Sequence, residues 1–231
     1  MRPLLMVNKT PGPCLTELRL GHTLRALHPS LHNGPGWRIG LWTQGCSLRC
    51  TSRCLNPQLL SPDHGYMFSI AAIQDAVMNV ARCSPQSIEG LTALGGEPTD
   101  QAEALTTLFR WARCQGFSTL LYSGHTLEHL RQCPPAGVAD LLDSTDLLID
   151  GPYQQEFYAE DLAWRGSANQ KIHCLSPRYC QRSIKAAWQR QRKAYSIAVE
   201  PLGAISISGF QDRATAADLE RLIRAKTPPI Q

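Results

Sequence analysis

GCSLRCTSRCLNP, residues 45–57, places Cys46, Cys50 and Cys54 within nine residues of one another. Three thiolates spaced so closely can hold three irons of a four-iron cluster, which leaves the fourth iron without a protein ligand. An open metal position is where chemistry takes place, whereas a fully ligated structural metal only fastens a fold. A structural zinc ion is the other reading of the same thiols, with a fourth ligand drawn from Cys14, Cys83 or His64. Structural zinc sites ordinarily show two separated ligand pairs, and the sequence has no second close pair.

Upstream of the cysteines, Trp37, Ile39, Leu41 and Thr43 alternate with Arg38, Gly40 and Trp42, which predicts a strand running into the loop. Downstream, Ile70, Ile73, Val77 and Val80 recur with helical period, and Ser69 precedes them as an N-cap, so a helix is expected over 69–82. LTALGG (91–96) reads as a short buried strand ending in glycines. A helix over 101–114 follows, with Leu105, Leu108, Phe109 and Ala112 on one face and Gly116 closing it. FSTLLYS (117–123) reads as a strand, Thr126 to Gln132 as a helix and DLLI (146–149) as another buried strand. Strands alternating with helices indicate βαβ units, hence an α/β fold with a parallel sheet. In such sheets, functional groups gather in the loops at the carboxyl ends of the strands. The cysteine loop, Gly95–Pro98, Tyr122–Gly124 and Asp150–Tyr153 all fall at such ends.

The organisation divides into an N-terminal extension (1–32), a core domain (33–180) and a C-terminal region (181–231). The last contains a basic helical segment (181–194), a hairpin over 194–210 that turns at Pro201–Gly203, and a final helix over 215–225. The basic segment reads either as a solvated helical face or as a docking surface for an acidic partner.

The chain has 231 residues and a net charge of +4, too small a charge to argue for a nucleic-acid partner. No run of about 18 apolar residues is present, so no membrane span is expected. The N-terminus lacks the pattern of a secretory signal, and the expected location is the cytoplasm. Nine cysteines in a reducing compartment read as metal ligands plus ordinary thiols. Cys83, Cys114 and Cys133 fall near expected helix ends, as small core or surface residues. Cys174 and Cys180 lie in a basic segment and are a weak signal for a second metal site.

Six short motifs occur in a fixed order: GPGWR (34–38), QGCSLRC…CLNP (44–57), LGGEP (94–98), LLYSGHT (120–126), LLIDGPY (147–153) and WRGSANQKI (164–172). Together they resemble the radical S-adenosylmethionine superfamily. More narrowly, they are similar to the small activating enzymes of anaerobic ribonucleotide reductase, which are glycyl radical enzyme activases. The resemblance runs from about Asn33 to Ile172. It implies a partial (β/α) barrel in which Cys46, Cys50 and Cys54 ligate a 4Fe–4S cluster and S-adenosylmethionine chelates the fourth iron. Gly95, Gly96, Glu97 and Pro98 match the family's GGEP segment, which contacts the amino group of S-adenosylmethionine. Ser123 matches a hydroxyl residue that follows a strand, and Asp150 would face S-adenosylmethionine or substrate. Each also has a plain structural role available: Gly95–Gly96 as a strand-to-helix turn, Glu97 as a first-turn acid, Asp150 as a turn former, and Arg165 and Asn169 as loop braces.

The implied chemistry is one-electron cleavage of S-adenosylmethionine to methionine and a 5′-deoxyadenosyl radical, with flavodoxin or ferredoxin as the low-potential donor. The radical would abstract hydrogen from a glycine of a partner enzyme. The alternatives are direct action on a peptide or small metabolite, and a non-catalytic metal-binding protein. The sequence departs from the family pattern in three places. The spacing is C-x3-C-x3-C where C-x3-C-x2-C is usual, Leu55 stands where the family often has His or an aromatic, and HNGPG replaces DGPG.

Overall fold

The computed structural model describes residues 17–159, 162–191, 196–199 and 205–208. Its strands in chain order are β1 (Glu17–Leu20), β2 (Pro29–Ser30), β3 (Trp37–Thr43), β4 (Tyr66–Ser69), β5 (Ile88–Gly95), β6 (Ser118–Ser123), β7 (Leu147–Asp150), β8 (Lys171–Cys174), β9 (Ser196–Val199) and β10 (Ile205–Ser208). Its α-helices are α1 (Ile70–Cys83), α2 (Ala102–Cys114), α3 (Leu127–Gln132), α4 (Val138–Asp143) and α5 (Gln181–Gln191).

The helices form where period and caps agree. Ser69 Oγ accepts from Ala72 N–H at 3.2 Å and opens α1, and Thr126 Oγ1 accepts from His129 N–H at 3.2 Å and opens α3. Helix α1 buries Ile70, Ile73 and Val77; α2 buries Leu105, Leu108, Phe109 and Ala112. These faces pack on one side of the sheet against Ile39, Leu41, Leu91, Ala93, Leu121 and Leu148. The strands alternate, so Leu120, Leu147 and Ile149 point to the other side, where Trp164 and the Ile184–Ala187 face of α5 cover them.

The sheet runs β4-β1-β3-β5-β6-β7-β8, with β2 attached to β3. Only β3, β5, β6 and β7 are mutually parallel; β1, β2, β4 and β8 join antiparallel. The expected parallel sheet is therefore a mixed sheet with a parallel centre. A parallel return needs a crossover, usually helical. Among the described residues, the chain between β7 and β8 carries only a 3-10 turn, Gln155–Phe157, and it returns antiparallel. Strand β1 lies within the span expected as an N-terminal extension, yet it is a paired member of the sheet. The hairpin appears as β9 and β10, paired Ile205↔Val199 to Ser208↔Ser196. The helix expected over 215–225 lies outside the described residues. No helix among the described residues is long and apolar enough to cross a membrane.

Candidate functional site

The four parallel strands end on one rim, and the chain following each of them borders a cavity of about 460 Å³. Cys46, Cys50 and Cys54 line it, together with Gly95 to Pro98 and Ser123. The volume lies in the range of small-molecule sites.

The cysteine loop is held at both ends by backbone. Gly45 N–H donates to Leu59 O at 2.9 Å and Cys46 N–H to Leu60 O at 3.2 Å, so the chain leaving β3 is tied to the chain returning from the loop. Arg49 sits at φ 41°, an uncommon conformation for a side-chain-bearing residue. Its N–H points at Cys46 Sγ (3.4 Å), and Asn56 N–H points at Cys54 Sγ (3.4 Å). The longer second spacing is absorbed locally: Arg53 N–H donates to Thr51 Oγ1 at 3.1 Å, closing a small turn between Cys50 and Cys54. Burial pushes the Cys46 thiol up, with smaller contributions from Glu97 and Asp100. Burial also pushes Cys50 up, followed by the like charges of Cys46 and Cys54.

Among the described residues, no three His, Cys, Asp or Glu side chains stand close enough to enclose a single metal ion. A zinc ion draws its thiolates to one centre at about 2.3 Å, whereas a 4Fe–4S cluster places each thiolate on a separate iron. Three free thiols spread along one cavity fit the second demand. Gly124 lies at the same cavity, packed against Leu48. A Cβ there would meet Leu48 Cδ2 at 2.5 Å and lie 3.8 Å from Cys50 Sγ.

The turn from Gly95 to Gln101 joins the rim together. Gly96 N–H donates to Thr43 O (2.9 Å) and Glu97 N–H to Gly45 O (2.8 Å), laying this turn directly on the start of the cysteine loop. A Cβ on Gly96 would fall 1.9 Å from Gly45 O, so only glycine permits the approach. Glu97 is buried. Its Oε1 accepts from Thr99 N–H, Thr99 Oγ1 and Ser123 Oγ at 3.1, 2.7 and 2.9 Å, and its Oε2 accepts from Gly124 N–H at 2.8 Å. The glutamate thus clamps the β6 loop to the β5 loop, and its remaining acceptor capacity is on Oε2. Ser123 Oγ is itself engaged, donating to Glu97 and accepting from His125 N–H at 3.1 Å.

Asp150 is not among the residues lining the cavity. Its Oδ2 accepts from Leu127 N–H at 2.6 Å at the start of α3, and His173 Nε2 stands 3.0 Å from Oδ1, off the hydrogen-bond line. Arg165 and Asn169 brace loops: Arg165 donates to Gln170 O at 3.0 Å and Asn169 to Pro152 O at 2.7 Å. The Tyr122 hydroxyl, pushed well up by burial, donates to Trp164 O at 2.7 Å.

Several residues that shape the rim are not among the expected site residues. Gln101 bonds Arg19 N–H, Arg19 O and Gln44 O at 2.7, 3.0 and 3.2 Å. Gln170 reaches Gly151 O at 2.9 Å and receives Gly166 N–H at 2.8 Å. Asp100 receives both the N–H and the hydroxyl of Ser47. Gln101 and Gln170 are half-buried and Asp100 is exposed, and most of their partners are distant in sequence, so local pattern does not single them out.

Residues 32–173 match the 4Fe-4S single cluster domain family. The anaerobic ribonucleoside-triphosphate reductase-activating protein of Enterobacteria phage T4 is 29% identical over 144 residues, 61% of this chain and 85% of its own length. The Escherichia coli K12 protein of that name is 29% identical over 148 residues, 62% of this chain and 92% of its own. That of Vibrio cholerae is 32% identical over 145 residues, 61% of this chain and 90% of its own. The three cysteines and the turn that carries Glu97 lie within the matched span, on one cavity. The chain belongs to the 4Fe-4S single cluster domain family and to that of the anaerobic ribonucleoside-triphosphate reductase-activating proteins.

Proposed function

We propose that the chain is a radical S-adenosylmethionine enzyme that activates a partner by generating a glycyl radical on it. The observation that carries this reading is the gathering of three free thiols and the Glu97 clamp on a single cavity at the ends of four parallel strands. The fold would be a partial (β/α) barrel, a reading that rests on the motif resemblance together with the parallel centre β3, β5, β6 and β7. The relatives are named as activators of anaerobic ribonucleoside-triphosphate reductase, and this chain would serve a reductase of that class.

Cys46, Cys50 and Cys54 would hold three irons of the cluster. Gly95, Gly96, Glu97 and Pro98 would form the wall on which the methionine end of S-adenosylmethionine rests. When bound, a reduced 4Fe–4S cluster supplies the single electron that breaks the sulfonium and frees a hydrogen-abstracting 5′-deoxyadenosyl radical. Glu97 keeps the β5 and β6 loops together and offers Oε2 to the ligand's ammonium, a charge-assisted contact. Ser123 and the Gly124 N–H align that carboxylate. Asp150 acts at one remove, by fixing the start of α3 and the β7 loop. The electron would come from flavodoxin or ferredoxin, and a cluster with an open iron suits the reducing cytoplasm.

Anaerobic reconstitution with iron and sulfide, then dithionite and S-adenosylmethionine, tests the reading. About four irons per chain together with 5′-deoxyadenosine are expected, and Cys50→Ala should lose both. A cluster-free or zinc-loaded wild-type chain that makes no 5′-deoxyadenosine would overturn it.

A further inference from the structure

The Glu97–Gln101 turn reaches out in three directions. Glu97 holds the β6 loop, Gln101 holds Arg19 and Gln44, and Asp100 holds the cysteine loop. In the third contact, Asp100 itself falls outside every sequence motif. Asp100 Oδ2 accepts from Ser47 N–H at 2.7 Å, and Oδ1 accepts from Ser47 Oγ at 2.6 Å. Both carboxylate oxygens thus grip one residue, the residue that follows Cys46.

Two bonds to a single residue fix its orientation as well as its position. With Ser47 held by both its amide and its hydroxyl, the Cα–Cβ direction of Cys46 is constrained from its C-terminal side. On its other side, Cys46 N–H is bound to Leu60 O. The next bonds of the loop run within it, from Arg49 N–H to Cys46 Sγ and from Arg53 N–H to Thr51 Oγ1. Arg49 at φ 41° lies within that span, and a left-handed residue persists only where its surroundings enforce it. The Asp100–Ser47 contact is an anchor outside the loop, 53 residues away in sequence, that can enforce it. Asp100 also brings a negative charge next to Cys46. Charge and hydrogen bonding around the sulfurs are what set the potential of an iron–sulfur cluster.

We infer that Asp100 is a positioning residue for the cysteine loop: through Ser47 it orients Cys46 toward the cavity, and its charge lowers the reduction potential of the cluster that Cys46 helps to hold. The inference rests on the ligand assignment proposed above, and its test separates the two.

The first arm uses the metal-free chain and measures amide hydrogen exchange at Ser47, with the Leu91 amide in the sheet core as a check that the fold is intact. Asp100→Ala removes the acceptor of that amide, and exchange at Ser47 should quicken about tenfold or more, as expected for a lost hydrogen bond to a charged group. Asp100→Asn keeps one oxygen for the amide and should stay close to wild type. The second arm uses the reconstituted chain and follows the cluster by electron paramagnetic resonance during a redox titration. Asp100→Asn removes the charge while keeping the shape, so the midpoint potential should rise, and Asp100→Ala should also lose iron to a chelator faster. Unchanged exchange at Ser47 in Asp100→Ala, or an unchanged potential in Asp100→Asn, would overturn the inference. A wild-type chain that assembles no cluster would end the ligand assignment and with it the redox role, while the exchange arm still judges the tether.

Discussion

Gly96→Ala is the substitution whose outcome the structure constrains most tightly. An added Cβ would lie 1.9 Å from Gly45 O, 2.7 Å from Gly45 C and 2.9 Å from Leu59 O, all of them backbone atoms. No flexible side chain can move aside, so the Gly95–Gln101 turn and the cysteine loop must part by about 1 Å or more. That separation breaks the bonds from Glu97 N–H to Gly45 O (2.8 Å) and from Gly96 N–H to Thr43 O (2.9 Å). Each is worth about 0.5–1.5 kcal/mol when made, and a buried group left unpaired costs about 1–3 kcal/mol. A loss of about 2–4 kcal/mol follows, a large part of the 5–15 kcal/mol that typically holds a domain folded. The assay is urea unfolding of the reduced, metal-free chain, where this loss should lower the midpoint by about 1–2 M. Gly116→Ala is the control. Gly116 has φ +86° but nothing within 4 Å of an added Cβ, so only the backbone penalty of about 1–2 kcal/mol applies. A midpoint shift for Gly96→Ala no larger than for Gly116→Ala would refute the close-approach reasoning.

Three other outcomes are expected. Glu97→Gln puts an amide donor against either Gly124 N–H or the Thr99 and Ser123 donors, so S-adenosylmethionine affinity should fall by about tenfold or more while iron content holds; equal affinity by equilibrium dialysis would remove Glu97 from the site. Arg38→Ala should cost about 3 kcal/mol in thermal or urea unfolding, because a fully buried guanidinium donates to Thr92 Oγ1 (2.8 Å), Ser118 Oγ (2.7 Å) and Leu91 O (2.6 Å), and those acceptors would be left without it; a loss under about 1 kcal/mol would mean that water replaces it readily. The Cys180 thiol is drawn down by the Ser183 amide and hydroxyl at the start of α5, whereas burial pushes Cys174 up. The thiolate is the nucleophile and the lower pKa gives more of it at neutral pH, so iodoacetamide should modify Cys180 first, with the gap narrowing as pH rises through both values; faster labelling of Cys174 in peptide mass spectra would contradict this.

The elements read most directly were those in which one short period decides the structure. The alternation at Trp37–Thr43 became β3, and the helical period with its Ser69 cap became α1. The convergence of the cysteine loop with Gly95–Pro98 and Ser123 followed from strand-end logic. The short pieces at Glu17–Leu20, Tyr66–Ser69 and Lys171–Cys174 were missed, because four residues hold too little pattern and their status depends on a partner strand. Arg38 read as an ordinary alternate residue of a strand. Its full burial depends on Thr92, Ser118 and Tyr179, which come from three other parts of the chain.

By itself, the sequence determined which groups the chain carries and in what order: three thiols at C-x3-C-x3-C, a GGEP turn, and strands alternating with helices. Those are local facts, set by spacing and period. Only the tertiary structure decided what each group does with its bonding capacity. It turned Asp150 toward α3, tied Glu97 to Ser123 and Gly124 of the β6 loop, made Gly96 a seat for Gly45, and set Asp100 on Ser47. Hydrogen-bond acceptors are taken by whichever donors the fold brings within about 3 Å, and donors 23 to 53 residues away in the chain leave no trace in local spacing.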